Sequence, residues 1–228
     1  MKSFLAIAAL VLTATASASK DEVIYKVTFK NKWNKNRHPK NYPSSAHWSP
    51  LVVASHSADY VMWHKETLAS AGVKQVAETG ATTKIDAELS NYKGMNKVHD
   101  TAKGSVFFPN DDTKKIRIKE LGVSKDHPYV SAITMIAPSP DWITGLDSLK
   151  LTDDNGDWLE KVRVNVYPYD AGTDSGKTFE AKNVETNPQA NIQMLSLQYI
   201  QDNSIEAFVD VDAKKVKPVA KFTLTMKK

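Results

Sequence analysis

Pro138-Ser139-Pro140-Asp141-Trp142 opens a stretch that runs through Gly145-Leu146-Asp147-Ser148-Leu149 and closes with Tyr167-Pro168-Tyr169-Asp170-Ala171-Gly172-Thr173-Asp174-Ser175-Gly176. Three acids, Asp141, Asp170 and Asp174, stand here in turn-forming surroundings. Pro140 fixes the backbone ahead of Asp141, and Gly172 and Gly176 supply dihedrals that let a chain curl around a small target. Carboxylates with no cation in the same turn repel one another unless an ion sits between them. Hard oxygen donors on turns suit Ca²⁺. The residues between the turns have strand character, so both turns are expected at one end of a β-sandwich.

Working outward, 129–137 is a nearly continuous apolar run, the pattern of a strand buried on both faces. It leads directly into Pro138. Residues 146–151 and 158–167 are the next strands, joined through Asp153-Asp154-Asn155-Gly156-Asp157. That acidic turn lacks the register of an EF-hand loop, and Asn155-Gly156 is expected to make a hairpin. Toward the N-terminus, 23–29 alternates with Val23, Tyr25, Val27 and Phe29 on one face. Residues 31–45 form a loop rich in Lys, Asn and Pro, 51–54 a buried strand or helical turn, and 59–63 an aromatic segment packed on the core.

Residues 65–89 are the helical part: 66–69 and 73–78 have helical spacing broken by Gly72, Gly80 stops the unit, and Thr82 or Thr83 caps a helix through Leu89. A polar connection at 93–100 follows. Short strands are expected at 106–108 and 115–121 around a turn at Asn110-Asp111-Asp112. Further strands are expected at 178–181, 192–199, 205–211 and 220–226. Many strands, few helices and closely spaced turns make the fold mainly β.

The N-terminus has a different reading. Lys2 precedes the apolar run 4–14, and Ala16-Ser17-Ala18 has the small residues of a cleavage site. Residues 1–18 are expected to be a secretory signal peptide, with the mature chain starting at Ser19 and forming one domain over 19–228. The run is too short to span a bilayer, and no other stretch is apolar enough for a transmembrane segment. The chain has no cysteine, and roughly 200 residues can bury a sufficient core without disulfides. It has no Asn-x-Ser/Thr sequon either. The formal charge of +4 loses only Lys2 with the signal, a mild excess that weakly favours anionic glycans or lipid headgroups. No nucleic acid partner is expected.

The wording of the opening stretch resembles the spondin domain, the N-terminal module of F-spondin and mindin. Earlier blocks agree: Tyr25-Lys26-Val27-Thr28-Phe29, Lys32-Trp33, His47-Trp48-Ser49-Pro50 and His56-Ser57-Ala58-Asp59-Tyr60-Val61-Met62-Trp63. The similarity runs from about Val23 to about Met226. It implies an antiparallel C2-like β-sandwich with a short helical insertion. It also implies calcium binding by Asp141, Asp170 and Asp174, and a role in extracellular matrix and cell adhesion with a cell-surface receptor or matrix component as partner. Thrombospondin type 1 repeats, which accompany the domain in those proteins, need cysteines and are expected to be absent.

Competing chemistry is weaker. Asp147, at a strand start, fits a turn hydrogen bond better than a metal ligand. His56 and His64 are the one histidine pair able to meet over a zinc ion, and no zincin spacing occurs. No Gly-x-Ser-x-Gly elbow is present, so no enzyme is expected; a hydrolase would have to use Asp141 and Asp170 as paired carboxylates. Trp142, expected at a loop tip, is a contact candidate. Leu146-Asp147-Ser148 resembles an integrin-binding tripeptide in an unfavourable strand context. The remaining alternative is a C2-like module in which Ca²⁺ bridges the protein to a membrane or glycan.

Overall fold

The computed structural model describes residues 21–109, 115–210 and 214–227. The proposed signal peptide and the turn at 110–112 lie outside them.

Two antiparallel sheets face each other. The smaller has the order β5-β1-β13-β8, with β1 at Glu22–Asn31, β5 at Lys115–Ser124, β8 at Lys161–Val166 and β13 at Ala220–Met226. The larger runs β10-β9-β7-β6-β3-β4, and β2 (His47–Trp48) pairs with the end of β6. Its strands are β3 at Val52–His56, β4 at Val98–Lys103, β6 at Tyr129–Ala137, β7 at Trp142–Lys150, β9 at Tyr169–Asp170 and β10 at Gln193–Met194. A two-stranded ribbon, β11 (Val209–Asp210) with β12 (Lys215–Val216), stands apart. This is the expected mainly-β sandwich with a helical insertion.

The core follows from period-2 patterning. Tyr25, Val27 and Phe29 of β1 and Phe222 and Leu224 of β13 pack against Val53, Val130, Ala132, Ile136 and Leu146 of the facing sheet. At one end of this core Trp33, Trp48, Trp142, Phe179 and Phe208 meet edge-on or tilted, with ring centroids 5.1–6.4 Å apart. Helices α1 (Ala71–Thr79) and α2 (Thr83–Gly94) cover the other face of the larger sheet. There Val73, Val76, Ile85 and Leu89 bury Val52, Ala54, Ile133 and Ile143. That third layer is why β6 is apolar along both faces. No described helix is long and apolar enough to cross a membrane.

Several local expectations change. Residues 66–69 are not helical; α1 starts only after Ser70, whose hydroxyl accepts from Val73 N at 3.1 Å. Gly72 does not break that helix but lets α2 approach, since a Cβ there would sit 2.7 Å from Ile85 Cα. Gly80 ends α1 at φ 69°. The second helix runs past Leu89 to Gly94, and β4 begins within the polar connection, at Val98. Residues 178–181 form a turn, and 197–202 is a short helix, α3 (Leu197–Asp202), because Ser196 caps it by accepting from Tyr199 N. The Asn155-Gly156 turn forms, with Gly156 at φ 81°, but β7 and β8 belong to different sheets. It is therefore a crossover between layers, and only Thr152 and Trp158 pair across it.

Candidate metal centre

Three chain segments build the acidic end of the larger sheet. The first is the turn after β6. Pro140 narrows the backbone choices, and Ser139 Oγ accepts from Trp142 N at 3.0 Å, which closes the turn and starts β7. The second is β9, which pairs with β7 so that Asp170 lies opposite Trp142. Ala171 N then donates to the Asp141 carbonyl at 3.2 Å. Adjacent antiparallel strands thus bring together two acids that are far apart in sequence.

The third segment, 172–176, runs beside 184–190. Ala190 N donates to Gly172 O at 2.9 Å, Thr186 N to Thr173 O at 3.0 Å and Ser175 N to Val184 O at 2.8 Å. Gly172 is required here twice over: its φ is 72° and a Cβ would lie 2.2 Å from Ala190 O. Gly176 has a different role from the one expected of it. It needs no left-handed backbone; a Cβ there would collide with the Pro140 ring at 2.5 Å.

The three carboxylates point inward. Asp141 is fully buried, and Asp170 and Asp174 are nearly so. Asp141 Oδ2 accepts from Thr173 N at 2.7 Å, Asp174 N at 3.1 Å and Thr173 Oγ1 at 3.3 Å. Its Oδ1 is buried and has no hydrogen-bond partner among the described residues. Asp170 Oδ1 accepts from Gly172 N at 2.8 Å. Asp174 spends Oδ1 on Gly176 N at 2.7 Å and Oδ2 on Val184 N at 3.0 Å. Among the described residues no group of three or more His, Asp or Glu side chains is disposed to hold a metal. Asp141 and Asp170 form the close pair. Asp174 joins them through its backbone N–H and its field, with each of its own oxygens already accepting one amide.

Electrostatics single out the same pair. Burial, then the charge of Asp170, pushes the Asp141 carboxyl up to about 7, against the opposing pull of the Thr173 and Asp174 amides. Burial raises Asp170 to about 6; the Gly172 amide opposes the shift and Asp174 adds to it. Among the described residues no lysine or arginine acts on either group. Two buried carboxyls with no counter-cation, one carrying an orphaned oxygen, make a poor structural end in themselves. An unpaired buried acceptor costs about 1–3 kcal/mol, more when charged. The donor chemistry fits a hard cation: carboxylate oxygens, the Thr173 hydroxyl and turn carbonyls.

Other candidates fall away. Trp142 is no loop tip; the Ser139 turn carries it into β7, where it is fully buried. Asp147 is exposed on β7 and accepts from, or ion-pairs with, His64 Nδ1 at 2.6 Å, a surface contact. His56 hydrogen-bonds Ser131 Oγ and Ser57 O, both at 2.8 Å, so the two histidines are committed to different partners.

A helix-covered β-sandwich with a buried pair of acids at one sheet end defines a class of small β modules. Residues 23–218 match the Spondin_N family, and the chain belongs to it. It is 35% identical to human Spondin-1 over 204 residues, covering 88% of this chain and 25% of that protein. It is 36% identical to human Spondin-2 over 205 residues, covering 88% and 60%. Identity to Xenopus laevis Spondin-1 is 39% over 186 residues, or 79% and 23%. The chain therefore spans about a quarter of the Spondin-1 proteins and three-fifths of Spondin-2.

Proposed function

We propose that this chain is a secreted, non-enzymatic, calcium-binding module of extracellular matrix and cell adhesion. The observation that carries the reading is the orphaned, fully buried Asp141 Oδ1 beside Asp170 with no cation to balance either. Asp141 and Asp170 would hold the ion, with Asp174 supplying an oxygen through its second lone pair and backbone carbonyls and water filling the six to eight positions Ca²⁺ takes. Calcium supplies the missing positive charge. The chain's own contribution is to fix the 138–142 and 170–176 turns against each other, through Ser139, Gly172 and the 184–190 segment, and to present the resulting surface to a cell-surface or matrix partner.

The full burial of Asp141 also supports a non-enzymatic role, because a general acid must reach its substrate. The N-terminal sequence pattern and the family support secretion. A C2-like role, with the ion bridging to lipid or glycan, is separated by Ca²⁺-dependent liposome binding. The test of the main reading is melting of the mature protein in Ca²⁺ and in EDTA, with a pull-down of cell-surface and matrix components under both conditions. Calcium is expected to raise the melting temperature of wild type and not of Asp170→Asn. Identical melting curves for wild type in Ca²⁺ and EDTA would overturn it.

A further inference from the structure

The smaller sheet has one face in the core and one in solvent. Directly paired residues share a face, so the register reads the outer surface row by row. Lys115, Lys30 and Lys221 stand side by side on β5, β1 and β13, and the row ends in Asn165 of β8. In the next row Arg117 and Arg163 flank Thr28 and Thr223. In the third, Thr225 separates Lys26 from Lys161. The β1–β5 bulge between Tyr25 and Val27 sets Lys119 and Glu120 beside Lys26.

Glu120, in the bulge beside Lys26, is the one acid among the residues aligned along these rows. It is held by Lys227 Nζ at 2.6 Å. Lys32 extends the first row, donating to Asn165 Oδ1 at 2.7 Å. Burial and the nearby charges of Arg37, Lys221 and Lys30 hold its ammonium below the usual lysine range, which marks a concentrated positive field.

The arrangement has a cost for folding. Like charges directly opposite in a sheet destabilise it, and here three lysines adjoin across neighbouring strands, two of them central. Solubility alone would be served by mixed signs or by the threonines of the second row. Edge protection would put the lysines on β5 and β8, not on β1 and β13. Strands about 4.8 Å apart and rows about 7 Å apart give a cationic lattice roughly 14 Å on a side.

We propose that this face binds a linear sulfated glycan, independently of calcium. Spaced monovalent cations in register along the sheet match a chain of repeated sulfates. The rows contain no aromatic ring on which nucleic acid bases would stack. Large exposed apolar side chains such as Val61, Leu68 and Phe108 lie outside these strands, so nothing on the face would enter a bilayer.

The experiment measures heparin binding by the full chain in EDTA, for wild type, Lys30→Gln/Lys221→Gln, and Asp141→Asn as the variant of the other site. Melting curves accompany each. Wild type is expected to bind heparin with steep salt dependence and to lose binding to fully desulfated heparin. The double variant is expected to bind about tenfold more weakly, as loss of two exposed ion pairs implies, with a melting temperature equal to or above wild type because repulsion is relieved. Asp141→Asn is expected to bind as wild type does. The inference is overturned by unchanged heparin affinity in the double variant or by equal binding of desulfated heparin. It is overturned equally if phosphatidylcholine vesicles containing phosphatidylserine, or a single-stranded oligonucleotide, bind more tightly than heparin.

Discussion

Replacing Asp141 by Asn should invert the usual expectation for a buried polar mutation. The substitution is close to isosteric. The amide oxygen still accepts from Thr173 N and Asp174 N, while the new NH₂ takes the place of the orphaned Oδ1 and can donate toward Asp170. What disappears is a charge that the fold disfavours in the absence of a cation. The rise of the Asp141 carboxyl from its ordinary 3.8 to about 7 corresponds to about 4 kcal/mol against its ionisation in the fold. Part of that belongs to the pair, since Asp170 titrates with it, so about 2–4 kcal/mol is the usable range.

The sign follows from linkage. A carboxyl whose folded value is raised contributes stability that is complete below its unfolded value near 4 and is lost as pH rises through about 7. In EDTA, wild type should therefore lose stability between pH 4 and 7, and calcium should restore it where both acids are ionised. Asp141→Asn should flatten that loss. At pH 8 in EDTA it should melt about 4–16 °C above wild type, at about 2–4 °C per kcal/mol for a chain of this size. It should gain little from calcium, whereas wild type at a hundredfold excess over Kd gains about 2.7 kcal/mol. Differential scanning calorimetry across pH, with and without Ca²⁺, reads all four corners. If the variant melts below wild type in EDTA at pH 8 and keeps the full calcium increment, the reasoning about this site is wrong.

Other consequences are simpler. Gly172→Ala should lower stability by at least about 1–3 kcal/mol through strain at its positive φ alone, with the collision against Ala190 O added, and thermal melting in EDTA isolates this from any calcium effect. Trp142→Ala should cost about 3–5 kcal/mol as a core deletion, measured by urea unfolding; a near-neutral result would mean that the indole is not the core residue seen here. His64→Ala should change stability by less than about 1 kcal/mol, because the His64–Asp147 pair is exposed.

Much of the fold was legible because its strands obey a period of two. Val23, Tyr25, Val27 and Phe29 alternate inward as expected, 129–137 is β6 to the residue, and 220–226 is β13. Legibility failed where elements are short or held by distant partners. The strand β4 is polar and owes its existence to pairing with β3. The helix α3 is six residues, too brief for a periodic signal. Trp142 looked exposed because it follows a proline turn, but its indole packs on Phe179 and Phe208 in the core.

The acids show the same division. By itself the sequence determined which oxygens are available, the turns that carry them and the glycine the second turn cannot do without. It also determined the cationic alternation of the outer strands, whose significance appears only in register. Tertiary structure alone decided that β9 pairs with β7, which places Asp170 beside Asp141. It decided as well that Val184, at the start of the 184–190 segment, donates its amide to Asp174 Oδ2. The reason is that strand pairing and backbone amide donation are made between segments far apart in the chain, whereas periodicity and turn chemistry are written within a few residues.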